Sequence, residues 1–294
     1  MLSNNILTIK NDILRTKKVI ISLGCSFVQG TELSDSYVTK NELTFLNVLC
    51  KDYLDNSYTP INFGQEGAGN FAAISRLFLY DIPWKELDEI IVVFMPSGMQ
   101  RFDIIKDENA TGIGSEFKTL WPYAVHKESD NGWVYINKGY EESCYSQKFE
   151  IMNTILSFQI LNSWIAENSA RLIVFPAFSK EYTKEYFLEN ISVNIYRDKN
   201  MNIVSDKQGM QNFYDYDFLI NQVPWDKFVT IQNRSTFFDL CFSKDINYSN
   251  RLSMQEVIDN QLMNNNDWIM PKGHPSAQGH RLLAEELSKI LNSK

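Results

Sequence analysis

The sequence predicts a three-layer α/β/α fold in which a central parallel sheet of about five strands carries helices on both faces. Three observations point there. Short, largely apolar runs of strand length recur at Lys18–Leu23, Glu89–Met95 and Arg171–Phe175, and a run without in-and-out alternation is what a strand covered on both faces requires. Between these runs lie stretches whose apolar residues repeat at helical spacing. Strands that alternate with helices pair in parallel, because each helix carries the chain back across the sheet.

The elements follow in order. Lys18–Leu23 closes on Gly24, as a buried strand ending in a turn does. Glu42–Leu54 sets Phe45, Leu46 and Leu49 at helical spacing, and Pro60–Phe63 reads as a brief second strand. Gly64, Gly67 and Gly69 punctuate the chain before a helix over Asn70–Tyr80, with Phe71, Ile74, Leu77 and Phe78 on one side. Glu89–Met95 is the strongest strand signal. Residues from about 98 to 147 are irregular and aromatic and read as an insertion. Ile151, Ile155, Phe158, Leu161 and Ile165 then mark an amphipathic helix that leads into the strand at 171–175. A second insertion, about 179–266, is rich in Asn, Asp, Tyr and Phe, and within it Phe228–Ile231 is the candidate fifth strand. Ser276 is placed to cap a last helix whose Leu283, Leu287, Ile290 and Leu291 share one face. Residues 1–294 are expected to form one domain, with both insertions above the carboxyl edge of the sheet.

Composition narrows the partners. The chain is 44% apolar and 22% charged, an ordinary globular balance, and its 13% aromatic content suits surfaces that enclose ligands as well as plain core packing. A net charge of -8 argues against a nucleic-acid partner, since phosphate binding needs concentrated Lys and Arg. Cys25, Cys50, Cys144 and Cys241 lack CxxC spacing, so reduced thiols are expected rather than a zinc site or a disulfide framework, and no metal or cofactor is expected. Met1–Lys18 lacks the apolar run of a signal peptide, and no stretch approaches a membrane span, so no membrane partner is expected. Oligomeric state has no signature in the sequence.

The chemistry centres on one serine. Gly24-Cys25-Ser26-Phe27 follows the first strand directly, at the edge where parallel sheets hold their active sites. A serine hydroxyl is a weak nucleophile until a base removes its proton, and only His126, His274 and His280 are available. His274 lies in Gly273-His274-Pro275 just ahead of the last helix, and Pro275 biases it towards extended backbone from which the imidazole projects. His280, inside that helix, reads as structural. Each residue also has a bland reading: turn serines cap or bond backbone, and loop histidines are satisfied locally.

Taken together, these segments resemble the sequence blocks of the SGNH/GDSL hydrolases, in the family's order and at both ends of the chain. The first block is Gly24-Cys25-Ser26-Phe27, with cysteine where the family's commonest sequence has aspartate. The resemblance makes Ser26 the nucleophile and its N–H one oxyanion donor. The second is Asn62-Phe-Gly-Gln-Glu-Gly67-Ala-Gly-Asn70, in which Gly67 matches the glycine whose N–H completes the oxyanion hole. The third block carries Ser97 where the family has asparagine, and a hydroxyl there is a further candidate donor. The last, Pro271-Lys-Gly-His274-Pro275, keeps the histidine but holds Pro271 at the usual place of the triad acid. A main-chain carbonyl or the nearby Asp267 is the candidate to orient His274. GCSF together with Arg101-Phe102-Asp103 looks like SGNH-like proteins of bacteriophages.

The resemblance implies a flavodoxin-like sheet and a serine esterase that removes a small acyl group, with O-acetyl groups on a carbohydrate as the favoured target, by a Ser-His dyad or variant triad. Two other readings stand beside it: a catalytically silent SGNH-like module that binds carbohydrate or builds a virion, and an acyltransferase with the same dyad. With no signal peptide or membrane span read in the sequence, a cytoplasmic or virion-associated location is expected. Gly64, Gly67 and Gly69 do not match the GxGxxG dinucleotide fingerprint. Trp121, Tyr123, Trp133 and Tyr135 in the first insertion suit a sugar-binding cleft or a packed lid equally.

Overall fold

The computed structural model describes residues 11–34, 36–105, 117–120, 147–191, 194–197, 203–206, 216–244, 268–270 and 273–293. Its centre is a four-stranded parallel sheet formed by β1 (Lys18–Gly24), β2 (Thr59–Asn62), β3 (Glu89–Met95) and, after two further strands, β6 (Arg171–Val174). The spatial order is β2-β1-β3-β6. Register is fixed by pairs such as Ile21 with Ile61, Ile21 with Val92, and Val93 with Ile173. This order reverses between β1 and β3: β2 lies on one side of β1 and β3 on the other. In an open α/β sheet that reversal opens a crevice at the carboxyl ends of the two strands.

Alternation along the strands sorts the core into two layers. Ile20, Ile91, Val93 and Ile173 face α3 (Phe45–Val48), α8 (Phe237–Phe242) and α9 (Ala277–Asn292), packing on Phe45, Leu240, Leu283 and Leu287. Val19, Ile21, Val92 and Phe94 face α4 (Asn70–Leu79), α5 (Gln147–Glu167) and α6 (Lys184–Asn190), packing on Ile74, Leu77, Ile155, Phe158 and Phe187. The three-layer expectation holds. Among the described residues the sheet has four strands, one fewer than expected. The candidate fifth strand contributes a single parallel bridge, Phe228 to Val174. Its run then folds back, Ile231 pairing with Arg234 across Gln232 and Asn233, both at positive φ.

Three other details depart from expectation. The helix expected over Glu42–Leu54 is broken. α2 (Tyr37–Leu43) stops at Thr44, which is extended, and α3 restarts with the Phe45 N–H donated to His280 Nδ1 at 3.1 Å before passing into a π-turn at Leu49–Tyr53. The insertions also hold regular structure. The first contains the hairpin β4 (Phe102–Ile105) with β5 (Phe117–Leu120). The second contains α6, the hairpin β7 (Asn194–Arg197) with β8 (Ile203–Asp206), α7 (Tyr216–Ile220) and α8. The last helix starts as the sequence indicates, with the Ser276 side chain accepting the Gly279 N–H.

Candidate active site

The site begins where β1 runs out of room. A side chain on Gly24 would meet Val28 at 2.5 Å and the Met95 carbonyl at 2.8 Å, so only glycine passes between β3 and the turn that follows. Cys25 is extended and buried, and Ser26 opens the short helix α1 (Ser26–Gln29) at the carboxyl end of β1. Ser26 is 6% exposed, and its carbonyl accepts the N–H groups of Gly30 and Thr31.

The second glycine segment is stitched to this turn. Asn62 donates from Nδ2 to the Val28 carbonyl at 3.0 Å and accepts the Gly64 N–H at 2.9 Å and the Ser22 hydroxyl. Gln65 N–H donates to the Gly24 carbonyl, and Glu66 N–H to Gln29 Oε1. Gly64 backs directly onto α1: a Cβ there would lie 2.3 Å from the Gln29 nitrogen. Gly67 is different. Its φ is +75°, and a Cβ would meet nothing within 4 Å, so this glycine serves backbone conformation and faces open space.

A buried polar scaffold holds the far end of the segment. Asp103, on β4, accepts the Gly69 and Ala72 N–H groups at 2.9 and 2.7 Å and the Thr119 hydroxyl at 2.5 Å. It thereby caps α4 from another element, satisfying N–H groups that have no partner within the helix. Burial raises its carboxyl pKa, against the pull of those three donors. Arg101 donates to the Ala68 carbonyl and lies over the Phe178 ring. Ser97 is 1% exposed, and its N–H and hydroxyl both point to Asn70 Oδ1, at 2.9 and 3.4 Å. Asn70 Nδ2 donates to the Tyr182 hydroxyl, which donates to the Ser97 carbonyl. Burial pushes the Tyr182 phenol far above its ordinary range, so it stays a neutral donor.

His274 comes from the opposite end of the chain. Its carbonyl accepts the Met270 N–H at 2.7 Å, and Pro275 pairs with Ile269, so the residue sits in a small hairpin ahead of α9. Its ring packs edge-on against Phe27, the neighbour of Ser26, with centroids 5.5 Å apart. Its Nδ1 lies 2.7 Å from Glu32 Oε2 across 242 residues, with the two side chains 16% and 12% exposed. Nothing in the sequence reading singled out Glu32. The one signal was indirect: in the block that resembles the SGNH/GDSL hydrolases, Pro271 stands where the acid is usually found. Asp267, the acid expected from the sequence, lies outside the described residues, as do His126, Cys144 and the four insertion aromatics.

His280 is fully buried, stacked on Phe45 and edge-on to Phe237. Burial, with His274 as a second cause, pushes its pKa down to about 3, so it is a neutral packing residue. Cys25, Cys50 and Cys241 are free and buried, and burial pushes Cys50 up to about 12. Among the described residues, no group of three or more His, Cys, Asp or Glu is placed to hold a metal ion, and no helix is long and apolar enough to cross a membrane.

No family model matches the chain, and no curated protein matches it in sequence. Among solved structures it is similar to a two-domain esterase active on acetylated mannans, crystallised with mannopentaose. That likeness is at 14% identity and a TM-score of 0.38, covering 96% of this chain and 52% of that one. The chain thus spans about half the esterase's length. It is also similar to LAE5, an α/β hydrolase from the metagenome of Lake Arreo, Spain, at 10% identity and a TM-score of 0.40, covering 94% of this chain and 97% of that one. Both likenesses are loose, and the functional reading rests on the site itself.

Proposed function

We propose that this chain is a serine esterase of SGNH type that cleaves a small acyl ester, with O-acetylated carbohydrate as the expected substrate class. The observation that carries the reading is the meeting of three distant segments at the carboxyl edge of β1. There the Ser26 turn, the Gly64–Gly69 segment and the ring of His274 against Phe27 adjoin one another.

In the proposed reaction His274 Nε2 takes the Ser26 proton as Oγ attacks the ester carbonyl. The N–H groups of Ser26 and Gly67 stabilise the tetrahedral oxyanion in this reading, which the positive φ at Gly67 and the open space beside its Cα support. The alcohol leaves with the proton returned from His274, and water releases the acyl group by the reverse sequence of proton transfers. We assign Ser97 a supporting part. With both its donors on Asn70, it braces the start of α4 behind Gly67.

Acetate release from aryl acetates and from an acetylated oligosaccharide, with and without an unacetylated sugar acceptor, tests the reading. Release on both substrates, lost by a factor of about 10³ or more in Ser26→Ala, is expected. Acetyl transfer to the acceptor in place of release would make the protein a transferase. No turnover of either substrate by the folded protein would turn the site into a binding module.

A further inference from the structure

We infer that Glu32 is the carboxylate that orients His274, so that the positioning acid is carried on the nucleophile's own turn instead of on the histidine's loop. The inference rests on the esterase reading above.

The geometry is that of a positioning acid. Glu32 Oε2 lies 2.7 Å from His274 Nδ1, and both side chains are more than four-fifths covered. An ionised carboxylate only accepts hydrogen bonds, so it holds the imidazole proton on Nδ1 and leaves the Nε2 lone pair free to take a proton from a serine. A charge-assisted bond shielded from water also favours the imidazolium that forms when that proton arrives.

The turn that delivers Glu32 is built for the purpose. Gly30 and Glu32 both adopt left-handed backbone, with φ of +74° and +73°. For glutamate that conformation is unfavourable by about 1 kcal/mol, so the surroundings must impose it. Three contacts do so. The Gly30 and Thr31 N–H groups are anchored on the Ser26 carbonyl, and the Leu33 N–H on the Gly30 carbonyl. Leu33 and Thr44 close around Gly30, where an added Cβ would lie 2.7 and 2.9 Å from them. Nucleophile and acid are thus fixed to one another through the Ser26 carbonyl, and His274 docks against the pair. In the last block the usual acid position is Pro271, which has no side chain able to accept the Nδ1 proton.

The test compares Glu32→Gln, Glu32→Asp and Asp267→Asn with wild type by ester kinetics and by proton NMR of the histidine ring N–H groups. Glu32→Gln is expected to lower kcat by about 10²- to 10⁴-fold with KM within about twofold of wild type, and Glu32→Asp to recover part of the loss. A downfield Nδ1 proton of His274 is expected in wild type and in Ser26→Ala, and is expected to move upfield or vanish in Glu32→Gln. Unchanged kcat in Glu32→Gln of an active protein would overturn the assignment while leaving the esterase reading standing. So would a loss of kcat with the ring proton unmoved. A loss in Asp267→Asn with Glu32→Gln unaffected would transfer the role to Asp267. An inactive wild type would remove the esterase reading and the positioning role of Glu32 together.

Discussion

The Gly64–Asn70 segment and the His274 loop reach the same strand end by opposite means. The first is held many times over. Asn62, Gln29, Gly24 and Asp103 each bond its backbone, and Gly64 touches the backbone of α1. The imidazole of His274 has one ring against Phe27 and one carboxylate at Nδ1. Redundant backbone bonds make the first region part of the fold, so damage there is a loss of stability. A side chain held by one such contact can be released without unfolding anything, so under the proposed esterase reading damage there is a loss of rate.

The contrast can be broken at three places. Gly64→Ala has the largest expected effect on stability, about 3 kcal/mol, because the new methyl would meet the Gln29 nitrogen at 2.3 Å and backbone cannot swing aside. Urea unfolding measures it, and a cost below about 1 kcal/mol would mean the segment is less tightly seated than described.

Over the range down to pH 5, His280 gives a pH-dependent effect of intermediate size, about 2 kcal/mol. Its pKa is pushed from the ordinary 6.5 down to about 3 in the fold, so the unfolded chain binds a proton that the folded one refuses. Stability from this group is therefore complete above about pH 6.5 and falls as pH drops towards 3, by about 1.4 kcal/mol per pH unit. His280→Asn, which keeps an acceptor but does not titrate, should lose that slope. Parallel stability curves for the two proteins between pH 6.5 and 5 would contradict a neutral, buried His280.

Gly67→Ala has the smallest effect. Its φ of +75° sets a strain of about 1 kcal/mol on alanine, while the open space around it removes any clash. Within one segment, then, Gly64 is required for packing and Gly67 for conformation. Unfolding of the two variants side by side separates those reasons.

Much of the fold was legible because it rests on local patterns. β3 spans the residues expected, β1 closes on its glycine, and the Ser276 cap starts α9 as its side chain predicts. The failures came from partners distant in sequence in one case and from a local turn in another. The helix over Glu42–Leu54 breaks at Thr44 because a histidine 235 residues away takes the Phe45 N–H. The run at Phe228–Ile231 has the right residues for a strand, but Gln232 and Asn233 turn it back after one bridge. Of the residues proposed for the site, Ser26, Gly67 and His274 are singled out from the sequence because small residues and a His-Pro pair mark backbone that must approach closely or project. Glu32 is not, since a glutamate in a polar loop looks like any solvated charge until the fold buries it against an imidazole. Asp103 was noted in the sequence only as part of an Arg-Phe-acid run. Its capping of α4 required β4 to be placed beside that helix.

The central claim is that Ser26 is chemically activated by His274. Reaction of the folded protein with a fluorophosphonate, followed by intact mass, tests it most directly in wild type, Ser26→Ala and His274→Ala. The account predicts one adduct in wild type, none in Ser26→Ala, and labelling in His274→Ala slower by at least about 10³-fold. An unlabelled wild type, or an adduct that survives Ser26→Ala, would contradict it.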